Sequence, residues 1–194
     1  MGGKPRVGLQ TLRDEVAACT VCAADLPLGP RPVVQFGARS GVVIIGQAPG
    51  TKVHESGVPW DDASGTHLRE WLGVSRETFY DHNRVALVPM GFCYPGRSGG
   101  GDAPPRRECA PLWHERILAS FDARPLVLLV GLYAQRHYLG GGMKATLTET
   151  VRSFAEYLPR FFPLPHPSWR SRLWMKKNAW FERDVLPALR AALA

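Results

Sequence analysis

The chain is punctuated by short apolar runs that each stop at a glycine or proline. Val42-Val43-Ile44-Ile45 runs directly into Gly46-Gln47-Ala48-Pro49-Gly50, and Leu126-Val127-Leu128-Leu129-Val130 is stopped by Gly131. Val85-Ala86-Leu87-Val88 and Phe161-Phe162-Pro163-Leu164 are similarly short. Runs of this length without polar alternation predict strands buried on both faces. The proline in the fourth predicts a sheet edge or strand end. Between the runs lie stretches with apolar residues at helical spacing, over 8–18, 65–72, 108–121, 134–139 and 178–194. Leu68, Trp71 and Leu72 share one face of the second, with Ser64 as its cap, and Gly140-Gly141-Gly142 breaks the fourth. Strands alternating with helices predict an α/β fold. The expectation is a single three-layer α/β/α domain over residues 1–194, with a mostly parallel central sheet of about four strands. Residues 96–105, rich in glycine and proline, predict a loop.

Two loops at strand ends, one glycine-rich and one carrying His166-Pro167-Ser168, are how such a sheet builds a site at its carboxyl edge. The formal charge of +7 favours a polyanionic partner. Arg170, Arg172, Lys176 and Lys177 follow His166 closely, interleaved with Trp169, Trp174 and Trp180. Cations pair with phosphates and bases stack on aromatics; a solvated basic helix whose tryptophans enter the core is the plainer reading. No apolar run approaches the roughly 18 residues of a membrane span. Met1-Gly2-Gly3-Lys4-Pro5 carries no apolar leader. A cytoplasmic monomer without membrane contact is therefore expected.

The four cysteines form a close pair, Cys19-Thr20-Val21-Cys22, and a wide pair, Cys93 and Cys109. In a reducing compartment they are metal ligands or plain thiols rather than disulfides. The spacing leaves a four-iron cluster, zinc, and buried unliganded thiols all open. His54 and Glu55 read as loop or surface residues, and His67, His82, His114 and His137 as structural or exposed.

Taken in order, these segments resemble the uracil-DNA glycosylase superfamily, nearest its iron–sulfur families 4 and 5. The likeness rests on Cys19 and Cys22, on Gly46-Gln47-Ala48-Pro49-Gly50 at the first motif, and on Gly57-Val58-Pro59-Trp60 and Ser64-Gly65 after it. It continues through Cys93 and Cys109 with Pro95 and Glu108, then Val130-Gly131-Leu132-Tyr133-Ala134-Gln135, and ends on His166-Pro167-Ser168 at the second motif. The resemblance implies a 4Fe–4S cluster on Cys19, Cys22, Cys93 and Cys109, and hydrolysis of the bond between uracil, or a related damaged base, and its deoxyribose in DNA. It implies that the base is flipped out of the helix, that Gly46 and the amides of Gln47 and Ala48 grip it, and that Trp60 stacks on it. His166 would donate to the oxygen where negative charge grows, and Ser168 and Arg170 would hold phosphate. Asp61, or Asp62 beside it, would polarise the attacking water; otherwise the pair caps the helix near Ser64.

The chain departs from the family at three places. Gln47 replaces a glutamate, Ala48 stands where other families carry an activating aspartate, and Pro89 replaces the asparagine that reads the uracil edge. Proline has no side-chain polar group for that task. The missing carboxylate at Ala48 leaves a second reading, a non-catalytic protein that binds damaged DNA on the same scaffold.

Overall fold

A computed structural model describes residues 8–193, so Met1–Pro5 lies outside the described residues. Four parallel strands form the central sheet: β1 (Val42–Ile45), β2 (Val85–Leu87), β5 (Leu126–Val130) and β6 (Phe161–Leu164). Their order is β2-β1-β5-β6. The two strands after β1 in this sheet thus leave it on opposite sides, or β2 on one and β5 on the other. A crevice opens beyond the carboxyl ends where the order reverses. Pro163 sits on the edge strand β6, where its missing N–H disturbs no inner ladder.

Alternation along β1 and β5 divides the core. Val43, Ile45, Val127 and Leu129 face one cluster with Leu12, Val16, Trp113 and Ile117. Ile44, Leu128 and Val130 face the other, with Leu68, Trp71, Phe79, Phe181 and Leu189. Each strand is therefore buried on both sides, which accounts for the unbroken apolar runs. The expected mixed α/β fold with a four-stranded parallel sheet is the one observed.

The helices depart from the sequence reading in instructive ways. α1 (Leu9–Ala17) and α3 (Ala63–Leu72) fall where periodicity places them. The cap of α3 is Asp62, however, whose carboxylate accepts from the Gly65 N–H at 2.8 Å, and not Ser64. α2 (Thr51–Ser56), α4 (Arg76–Tyr80) and α7 (Leu147–Arg152) are too short for a periodic signal. The 108–121 stretch opens as a π-turn over Ala110–His114 before α5 (Glu115–Leu118), and α6 (Leu132–Leu139) ends at Gly140. α8 (Ser171–Lys177) carries the basic cluster, and a second π-turn leads into α9 (Leu186–Leu193). The tryptophans of that region divide between the two readings. Trp174 and Trp180 pack on the core, whereas Trp169 is 68% exposed. The 96–105 loop contains a small antiparallel hairpin, β3 (Arg97–Ser98) and β4 (Gly101–Asp102), turning on Gly99 and Gly100 at positive φ. His54, expected at the surface, is buried on α2 against Tyr94. Among the described residues no helix is long and apolar enough to cross a membrane.

Candidate active site

β1 ends at Ile45, and the chain turns through Gly46–Gly50 into α2. That turn is held from below by the continuation of β2. The N–H groups of Val88, Met90 and Gly91 donate to the carbonyls of Ile44, Gly46 and Gln47 at 2.9, 2.9 and 3.0 Å. Pro89 needs no partner for an N–H, having none. Its carbonyl accepts from His114 Nε2 at 3.0 Å, while His114 Nδ1 meets the Tyr138 hydroxyl at 2.7 Å. Burial pushes His114 down to about 4, so it is a neutral structural imidazole at neutral pH. Among the described hydrogen bonds the N–H groups of Gln47 and Ala48 have no partner. They remain free to donate into the space in front of them.

His166 enters that space from the end of β6. Gly131, at φ 87, lies beneath its Cβ, where an added side-chain carbon would stand 3.5 Å away. The loop is pinned by Ser168 N–H donating to His166 O at 2.9 Å and by Ser171 donating to Ser168 O. On α3, His67 Nδ1 donates to Pro167 O at 3.3 Å, and Arg172 contacts His67 Nε2 at 3.1 Å. An imidazole protonated on Nδ1 and accepting on Nε2 satisfies both contacts. Burial lowers the His166 pKa, against an opposing pull from the Asp62 carboxylate. The ring is therefore neutral, able to donate from one nitrogen without bringing a cation into the crevice.

Trp60 is the third wall. Its ring stacks on His166 at 5.7 Å between centroids. A Cβ on Gly46 would stand 2.5 Å from the indole, and one on Gly65 would stand 1.8 Å from the Trp60 carbonyl oxygen. The two glycines are therefore packing requirements of Trp60. Trp60 itself has φ 58, a left-handed conformation rare for a bulky residue. α4 braces it: Tyr80 donates to Pro59 O at 2.9 Å, and Arg76 binds Asp61 at 3.0 Å.

These elements enclose a cavity of about 490 Å³, large enough for a nucleobase with part of its sugar. Gly46, Gln47, Ala48, Trp60, His166, Ser168 and Arg170 all line it. Asp61 is not among its lining residues; its carboxylate is held by Arg76 outside. Asp62 does line it, with one oxygen given to the α3 cap. The Gln47 side chain reaches toward Ala103 O at 3.5 Å, at the foot of the hairpin. Arg97 and Asp102, both on that hairpin, complete the wall. Neither was singled out from sequence, although Asp102 is the one carboxylate in the 96–105 stretch. Its carboxyl is pushed up by loss of solvent, with Arg97 opposing and Asp62 adding to the rise.

A second, small recess is lined by Cys19, Cys22, Cys93 and Cys109 together with Arg106. None is in a disulfide. Burial raises the thiols of Cys22, Cys93 and Cys109, the last to about 11. Arg106 lines the recess beside Cys22 and bridges to Asp25 and Glu108. Among the described residues no three His, Cys, Asp or Glu side chains are arranged to grip one metal ion.

The cavity at the β1–β5 crevice and the neutral histidine beyond β6 both fall within the stretch matched by a family model of the uracil DNA glycosylase superfamily, residues 34–190. With most of the chain covered, including the whole sheet, this protein belongs to the uracil DNA glycosylase superfamily.

Proposed function

We propose that the protein hydrolyses the N-glycosidic bond of uracil, and of related deaminated bases, in DNA. Membership of the superfamily supports DNA glycosylase activity in general terms; the choice of base goes beyond it. The observation that carries the reading is the meeting of the unpartnered Gln47 and Ala48 amides with a neutral His166 across one cavity. Uracil leaves as an anion, so donors aimed at its carbonyl oxygens stabilise the transition state more than the ground state. Trp60 supplies a flat apolar wall for the extruded base. Arg170, stacked on the exposed Trp169 at 5.3 Å, stands at the rim with a cation for phosphate. Lys176 and Lys177 extend the positive surface along α8.

Pro89 offers the base no side-chain hydrogen bond, so discrimination rests on the backbone amides and on shape. Bases that present a carbonyl to those amides, hypoxanthine and xanthine among them, fit the same requirement. Single-turnover release from matched duplexes containing uracil, hypoxanthine, xanthine or a normal base tests this. Uracil should be released fastest, with measurable release of another deaminated base. Binding to uracil-containing DNA without release would instead favour the lesion-binding reading.

The four cysteines are the donor set of a 4Fe–4S cluster, and all four line one recess. Once bound, the cluster would cross-link the end of α1, the turn at Cys93 behind Pro89 and the π-turn after Cys109. Freshly purified protein should be brown. Cys22→Ser should bleach the colour and lower the melting temperature; a colourless wild type with an unchanged Cys22→Ser melt would refute the assignment.

A further inference from the structure

The first motif carries no carboxylate, and Asp61 is turned to Arg76, so the group that activates water must come from elsewhere. We infer that Asp102, on the hairpin of β3 and β4, polarises the attacking water; this rests on the excision reading above. Three observations point to it. Asp102 lines the same cavity as His166 and the first-motif turn. Its Oδ2 lies 3.3 Å from the point a Gly50 side-chain carbon would occupy, so the absence of a side chain at Gly50 lets the carboxylate lean onto the turn. Among the described hydrogen bonds and ion pairs none involves its carboxylate, although Arg97 lies opposite it in register.

Asp62, the other carboxylate on the wall, is less suited. One of its oxygens caps α3 through Gly65 N–H at 2.8 Å. Its carboxylate also acts on His166, opposing the lowering of that ring. Asp102 is exposed as a residue, which suits the chemistry. The attacking water comes from solvent, which reaches an exposed carboxylate.

In the step, the glycosidic bond breaks and its electron pair stays with the base. The water oxygen bonds to C1′, and its proton passes to the Asp102 carboxylate and then to solvent. The base anion takes up a proton from solvent, so the products are the free base and an abasic sugar. A carboxyl made more basic by loss of solvent is the better proton acceptor, and it acts only when ionised. The charged and titratable groups that line the cavity with it are Arg97 on the paired strand, Asp62 at the start of α3, His166 and Arg170.

The test is single-turnover uracil release against pH, for the full-length wild type, Asp102→Asn and Asp62→Asn. Melting temperature and affinity for DNA bearing a hydrolysis-resistant 2′-fluoro-deoxyuridine are read alongside. The wild-type rate should fall as acid protonates Asp102. Asp102→Asn should lose about 100-fold or more in rate, lose that acid limb, and keep its melting temperature and DNA affinity. An Asp102→Asn rate within about threefold of wild type, or an acid limb that disappears in Asp62→Asn instead, overturns the inference alone. A wild type that releases no base overturns it together with the proposed function.

Discussion

His166→Ala should lower single-turnover base release by about 100-fold or more, while affinity for the duplex stays close to wild type. The imidazole is held neutral by burial, so it acts as a hydrogen-bond donor to a charge that exists only as the bond breaks. Removing a donor of that kind costs rate more than binding. His166 also supports the Trp60 ring, and alanine removes both roles. His166→Gln separates them: it keeps an N–H donor and loses the aromatic face, so it should recover part of the rate. A His166→Ala enzyme as fast as wild type would remove the ring from the mechanism.

Gly65→Ala should damage stability and activity together. The added carbon would lie 1.8 Å from the Trp60 carbonyl oxygen and 2.7 Å from its carbonyl carbon. Both obstacles are backbone, so no side chain can swing aside, and the first turn of α3 must move. The expected loss is about 1–3 kcal/mol, or several degrees in melting temperature. Trp60 already holds a strained backbone through its contacts with Gly46, Gly65 and Tyr80. Shifting α3 releases it from His166, and base release should fall with stability. Gly46→Ala meets only the indole edge, at 2.5 Å, so its effect should fall more on activity than on melting. A Gly65→Ala protein that melts and excises like wild type would show that Trp60 is not wedged between these glycines.

What could be read from the chain follows from where its signals are local. The four strands announced themselves because burial on both faces leaves an unbroken apolar run, and His166 was visible as the residue just past the last of them. The caps were harder. Asp61-Asp62-Ala63-Ser64 offers three capping residues in four, and only the geometry selects Asp62 over Ser64. It also separates the adjacent aspartates, giving Asp61 to Arg76 and Asp62 to the cavity wall. Asp102 was hidden for a different reason. Strands of two residues between glycines carry no periodic pattern, and the residue reaches the site only because the hairpin folds back over Gly50. The cysteine recess likewise joins segments remote in sequence, so spacing alone left its occupant open.

The segment after β2 has one further consequence. The N–H groups of Met90 and Gly91 donate to the first-motif turn and that of Val88 to Ile44 just before it, while Pro89 between them has no N–H to give. The Pro89 side chain is left to line the cavity while its carbonyl anchors to His114. Under the proposed function, exchanges of that side chain would alter which bases fit while the backbone tethers of its neighbours stay in place, so position 89 is where lesion preference would diversify.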